Sequence, residues 1–125
     1  AMSGPIKGGY FLVARRLFDS ELWQAKPMSW VVVWIYILGH VSHKDTGHLK
    51  RGVGYFNFRE LVREKAFGPE ISLDQVKRSI VFFKKSGQVR TKKSTRGMYI
   101  KVSNYDKYQD VHRYTHTSRR TTGAP

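Results

Sequence analysis

The spacing of apolar residues predicts that the first half of the chain is built from helices. Apolar positions between Leu12 and Trp23 predict a short strand that passes into a helix, and the segment KPMS then breaks the pattern. The run WVVVWIYILG is apolar at nearly every position. Its β-branched residues are compatible with a strand, but its length and its closing glycine favour a central buried helix, with Ser29 as the N-cap.

Capping signals predict two further helices. Asn57 and Glu60 have the three-residue spacing of a capping box and precede the helix FRELVREKAF, which ends at a Gly-Pro pair. Ser72 and Gln75 repeat this spacing ahead of the helix LDQVKRSIVFFKKS, which stops at the next glycine. The short run VGYFNF before the first of these helices predicts a strand.

The last predicted helix has one clearly apolar face. At 100° per residue, its core stripe consists of Leu73, Val76, Ile80 and Phe83. The opposite face also carries the apolar pair Val81-Phe82. Two interpretations of this pair stay open: burial under the following hairpin, or a contact surface for a partner.

A hairpin completes the pattern, because the strand-like runs QVRT and MYIKV are joined by the polar loop KKSTRG. Three helices and a hairpin, with a strand before the second helix, predict an α+β, mainly α fold. The expected architecture is a winged helix-turn-helix with a C-terminal two-stranded wing and a short N-terminal strand and helix extension, over residues 9–110. Residues 1–8 are interpreted as a flexible expression remnant, and residues 111–125 as a linker or disordered tail.

The charge of the chain is strongly unbalanced and is concentrated in one segment. The 125 residues carry a net charge of +14, and residues 77–101 supply +9 of it from nine Lys or Arg without an acid. A small domain with this imbalance typically meets a polyanion such as nucleic acid, an acidic membrane surface or an acidic protein. The alternative, a merely solvated face, is less favoured because no acid compensates the run.

Other kinds of chemistry find little support in the residue pattern. The chain has no cysteine, so neither a disulfide nor a thiolate metal site is possible. His40, His43 and His48 lie near Asp45, but this set is more typical of loop and helix-end residues than of a metal site. No catalytic constellation is present, so the sequence predicts a binding protein without cofactor or metal. The longest apolar run is too short for a bilayer span, and a cytoplasmic, nucleoid-associated location in a bacterium is expected.

Four stretches resemble one known family. GYFLVARRLFDSELW, LKRGVGYFNFRELVREKAF, ISLDQVKRSIVFFKKSGQV and YIKVSNYDKYQD are similar to the N-terminal winged-helix domain of DnaD-like replication proteins and phage replisome organisers, over about residues 9–110. Two departures are Asn57 in place of the usual Ser or Thr cap, and the segment GPEI, which lengthens a turn. The family's helical C-terminal domain has no counterpart in the sequence. The resemblance implies duplex origin DNA as a partner, a homo-oligomer, and helicase-loading proteins bound through that missing region.

The expected DNA contacts follow from the predicted winged helix. On the recognition helix, Gln75 suits adenine and Arg78 suits guanine. At the wing tip, Lys92, Lys93 and Arg96 would meet phosphate or the adjacent minor groove. The remaining members of the basic segment, expected to position the DNA backbone, are Lys77, Lys84, Lys85 and Arg90.

Other functions are weighed against duplex binding in replication. A transcriptional regulator has the same fold, and an oligomerisation or partner-recruiting module of the primosome is favoured by the apolar opening segment. The candidate interface residues there are Leu12, Leu17, Phe18 and Trp23, which could instead pack on the central helix. Single-strand binding through stacking on Tyr55, Phe82 and Tyr99 ranks lowest, because the aromatic residues of wings mostly belong to the core.

Overall fold

Short helical elements form most of residues 15–40, and a small sheet is built from strands that lie before, between and after the later helices. The computed structural model describes residues 9–110, so the predictions for residues 1–8 and 111–125 lie outside it. The fold is α+β. After a 3-10 helix at Arg15–Asp19, the elements are α1 (Glu21–Ala25), α2 (Met28–His40), β1 (Val53–Phe56), α3 (Phe58–Arg63), α4 (Leu73–Lys85), β2 (Val89–Lys93), β3 (Met98–Val102) and α5 (Tyr105–Tyr108).

The N-terminal extension contains a 3-10 helix and α1 but no strand in the described residues, so the predicted strand near Leu12 is wrong. Its backbone is satisfied in another way. The Leu12 N–H donates to the Gln109 side chain, and the Gln109 amide donates to the Leu12 carbonyl, both at 2.8 Å. One side chain thus takes both backbone polar groups of Leu12, as a neighbouring strand would do.

Helix α2 is buried as predicted but begins before the predicted cap. Pro27 occupies the N-cap position, and the helix starts at Met28, so the assignment of Ser29 as N-cap is wrong. Within the described residues the Ser29 hydroxyl is buried without a hydrogen-bond partner. The helix contributes four buried side chains to the core: Val31, Val33, Ile37 and Leu38.

Helix α3 has the predicted Asn57 cap, but the Glu60 carboxylate pairs with Arg63 and does not complete a capping box, and the helix ends earlier than predicted. The Asn57 side chain accepts from the backbone N–H of Glu60, at 3.1 Å. The helix stops at Arg63 because Lys65 adopts a left-handed conformation with φ of 60°. The backbone N–H groups of Lys65 and Ala66 then donate to the carbonyls of Val62 and Leu61, which makes a Schellman ending.

Helix α4 confirms both of its predicted ends. Ser72 and Gln75 form a complete capping box, and Gly87, with φ of 76°, closes the C-terminus. The predicted stripe is confirmed at Val76, Ile80 and Phe83, whereas Leu73 is only half-buried.

The hairpin belongs to a larger sheet than the two strands predicted. Strand β1 pairs with β3, which gives an antiparallel three-stranded sheet in the order β1-β3-β2. Side chains alternate between two faces. One face packs on the helices through Phe56, Val89, Ile100 and Val102, all of which are buried.

Candidate nucleic-acid interface

An open cleft of about 500 Å³ lies between α4, the start of α3 and the tip of the hairpin. Its apolar lining comes from both helices and the sheet and includes Phe58, Leu73, Ile80, Val81 and Met98. Five cationic side chains also line it: Arg59, Lys77, Lys84, Lys93 and Arg96. We call this surface the basic cleft.

Helical and strand periodicity explain why these cations converge. Lys77 and Lys84 are seven residues apart on α4, which places them on one face, with Val81 between them. On the other wall, Lys93 lies directly opposite Met98 in the sheet, so both side chains point to the cleft side. The loop after β2 then brings Arg96 to the same wall.

The basic cleft is electrostatically uncompensated. No acidic residue lines it, and none of its five cations forms a salt bridge within residues 9–110. Cations gathered without counter-charges raise the local positive potential and favour binding of an anion. The apolar lining between them lowers the local dielectric, which strengthens this field.

Four of the nine predicted contact residues come together in the cleft, and three others lie elsewhere on or near α4. The side-chain oxygen of Gln75 accepts from the Ser72 backbone N–H at 2.8 Å, so this amide serves as a helix cap. Arg78 pairs with Asp74 at 2.9 Å outside the cleft lining. Both partners are largely exposed, so the pair is weak and Arg78 can exchange it for another acceptor. Lys85 is exposed at the end of α4, also outside the cleft lining.

The last two predicted contact residues lie on the opposite face of the sheet. Arg90 pairs with Lys101 and Lys92 with Tyr99, and all four side chains are exposed. Lys92 and Lys93 are neighbours in sequence, but strand alternation sends them to opposite sides of the hairpin. The expectation that Lys92, Lys93 and Arg96 act as one group therefore does not fit the geometry.

Sequence reasoning missed Arg59, the fifth cation of the cleft. It lies two residues after the Asn57 cap, in the exposed first turn of α3. Arg59 was not selected because it is next to Glu60 in the sequence and lies outside the acid-free segment of residues 77–101. Arg59 could have been predicted from its position, because it lies in the first turn of a helix directly after a strand and that strand pairs with the hairpin.

Val81 and Phe82 lie in different environments, and neither is buried in the way that was predicted. Val81 remains exposed and lines the basic cleft. Phe82 is half-buried against Trp30 of α2, with ring centroids 5.6 Å apart, and the Lys26 ammonium lies 5.1 Å from the Phe82 ring. Phe82 is thus covered by α2 and not by the hairpin.

The predicted oligomer residues also divide into two pairs. Leu12 and Leu17 are half-buried, and Leu17 packs against the core. Phe18 and Trp23 remain 54% and 37% exposed and contact each other edge to face, with centroids 4.8 Å apart. Of the four predicted residues, Phe18 and Trp23 are the exposed ones.

Residues 9–110 contain neither a metal-ligating cluster nor a membrane-spanning helix. No three side chains of the metal-ligating kinds are grouped there. His40 stacks on Tyr36 at 3.9 Å, and its Nδ1 lies 2.8 Å from the Tyr36 carbonyl oxygen. No helix in this range combines the length and apolar character that crossing a membrane requires. A scan of family models and searches of curated proteins and solved structures found no match to the chain.

Proposed function

We propose that the chain is a winged-helix DNA-binding domain that binds duplex DNA and acts in replication initiation of the phage or plasmid type. The observation that carries the proposal is the basic cleft, where α3, α4 and the hairpin tip bring together five cations that form no salt bridge within residues 9–110. The element order supports the fold assignment, since α3 and α4 precede a hairpin whose inner strand also pairs with β1. The resemblance to DnaD-like proteins supports the role in replication.

In this proposal α4 is the recognition helix and the β2-β3 hairpin is the wing. Helix α4 has 13 residues, which gives a length of about 20 Å, and a helix fits the major groove of B-DNA. The cations of the cleft contact phosphates on either side of the inserted helix. Arg78 is exposed on α4 and turns from Asp74 to a base edge when DNA is bound.

Duplex binding should weaken steeply with salt. If the five cleft cations and one further Lys or Arg each neutralise a phosphate, a plot of log K against log salt has a slope of about −5. Fluorescence anisotropy with a labelled duplex at several salt concentrations measures it. A slope shallower than about −2 would show that the basic segment is only a solvated face.

The place of binding separates replication from transcription, the runner-up role for the same fold. Selection of bound sequences from random duplexes at physiological salt gives the preferred site. A footprint of that site within a replication origin supports the proposal, whereas a footprint at a promoter supports a transcriptional regulator.

A second candidate function, self-association, is favoured by the exposed Phe18–Trp23 pair. Replacing both rings by Ser removes apolar area that stays exposed in one molecule, so we expect an oligomer to dissociate while the fold is kept. Light scattering measures the mass in solution, and circular dichroism checks the fold. A Leu17→Ser variant is the contrast: Leu17 packs against the core, so its replacement should lower the stability of the fold. An unchanged mass for the double variant would exclude this surface.

A further inference from the structure

The face of the sheet turned away from the helices carries a pair of exposed tyrosines. Tyr55 on β1 lies directly opposite Tyr99 on β3, and their ring centroids are 4.9 Å apart. They are 41% and 39% exposed, whereas their strand neighbours Phe56 and Ile100 are 4% and 0% exposed. The outer sheet face, as we call it, consists of Val53, Tyr55, Arg90, Lys92, Tyr99 and Lys101.

The position of Tyr55 is fixed by the hairpin. A Cβ atom at Gly97 would lie 3.0 Å from both Cζ and Oη of Tyr55, so the absence of a side chain there lets the ring lie close to the backbone. The two rings support each other across the strands in a tilted arrangement. The result is an aromatic surface of two contacting rings that remains open to solvent.

Cations surround this aromatic surface on the same face. Lys92 lies opposite Tyr99, which extends the row of two tyrosines by one cation, and Arg90 lies opposite Lys101 in the next row. None of the three strands contains an acid, and these three cations form no salt bridge in the described part of the chain. The outer sheet face therefore combines exposed rings with uncompensated positive charge.

We propose that the outer sheet face binds single-stranded nucleic acid. Unpaired bases stack on Tyr55 and Tyr99, and the flanking phosphates contact Arg90, Lys92 and Lys101. A duplex cannot use the rings in this way, because its bases are enclosed in the stack. The site lies on the opposite side of the hairpin from the basic cleft, so it does not depend on duplex binding there.

The exposed tyrosines favour single-strand binding, the function that the sequence favoured least. Stacking was disfavoured because wing aromatics usually belong to the core. That reason holds for Phe82, which packs on Trp30, but not for the two tyrosines. For Tyr99, the alternation of MYIKV predicts exposure, because Met98, Ile100 and Val102 form the apolar set that faces the core. Tyr55 lies on the same face because the register places it opposite Tyr99.

Substitutions that remove the rings test the site. The measurement is fluorescence anisotropy with a labelled oligothymidine, which has no stable secondary structure. We expect Tyr55→Leu and Tyr99→Leu each to lower the affinity about tenfold or more, because stacking of one base is lost. Tyr99→Phe keeps the ring and should bind as the unmodified protein does, and duplex affinity should stay unchanged in all three variants.

A cross-linking experiment on the unmodified protein covers the case in which a leucine variant fails to fold. Oligonucleotides that carry 5-iodouracil are irradiated with the protein, and the cross-linked peptides are identified by mass spectrometry. Cross-links at Tyr55 or Tyr99 support the site, and a parallel titration with oligouridine shows whether RNA is bound in place of DNA. The proposal is overturned if the unmodified protein does not bind either single strand, if folded leucine variants bind with full affinity, or if the cross-links map only to the basic cleft.

Discussion

Reversing two charges in the basic cleft, with Lys77→Glu and Lys93→Glu together, is expected to lower duplex affinity about a hundredfold or more. Each substitution removes one phosphate contact and places a carboxylate near the DNA backbone, so loss of counterion release and like-charge repulsion add. Lys77 on α4 and Lys93 on the hairpin stand on two walls of one cleft. Titration of a labelled duplex at fixed salt measures the loss.

The matched control reverses the charges of two residues on the outer sheet face, with Arg90→Glu and Lys92→Glu together. It changes net charge by the same amount, and Lys92 is the immediate neighbour of Lys93. Since its side chains point away from the cleft, we expect only a severalfold loss through the long-range field. All four positions are exposed, so the melting temperature should barely change. Equal losses in the two variants would mean that duplex binding follows net charge and not the cleft.

These two variants also separate the proposed surfaces. The cleft variant should retain most of its affinity for oligothymidine, and the outer-face variant should lose much of it. A domain with one diffuse cationic surface would lose both ligands together in each variant. If the cleft variant loses mainly duplex affinity and the outer-face variant loses mainly oligothymidine affinity, the hairpin must have two separate binding faces.

Local signals predicted much of the helical structure from the sequence. The capping box of Ser72 and Gln75, the Asn57 cap and the glycine ending of α4 depend on side chains within a few residues of each other. Such contacts form wherever the segment is placed, so sequence spacing is enough to find them. The core stripe of α4 is predictable for the same reason, because helical periodicity is a local property.

The errors come from contacts that are distant in sequence. No strand forms near Leu12, because the Gln109 side chain, 97 residues away, takes its backbone groups. The hairpin gains a third strand because β1 reaches it across α3 and α4. The Schellman ending of α3 requires a positive φ at Lys65. Lysine rarely adopts this conformation, so residue preference does not predict the ending.

The candidate site was predictable in composition but not in arrangement. The basic segment contains four cleft cations, and its charge is visible in the sequence. Arg59 joins them only through the packing of α3. The separation of Lys92 from Lys93 depends on which face of the sheet is buried, and the register with Tyr99 and Met98 sets that.

The largest stability effect is expected from Phe83→Ala. Phe83 is 0% exposed in the last turn of α4, and its ring lies 5.1 Å from that of Trp34 on α2. Truncation removes buried apolar area and leaves a cavity that rigid helices close only in part, which costs about 3–5 kcal/mol of unfolding free energy. The total for a domain of this size is roughly 6–19 kcal/mol. Urea denaturation followed by circular dichroism measures the change.

The neighbouring ring provides the contrast for this prediction. Phe82 is only half-buried, at the margin where α4 meets Trp30, and solvent can fill the space that its ring leaves. Phe82→Ala should therefore cost about half as much or less, since less apolar area returns to water and no closed cavity forms. The two variants remove the same kind of ring from adjacent positions of one helix, and the main difference between the positions is burial. If Phe82→Ala destabilised the protein as much as Phe83→Ala, the burial of each ring would not set the cost of removing it.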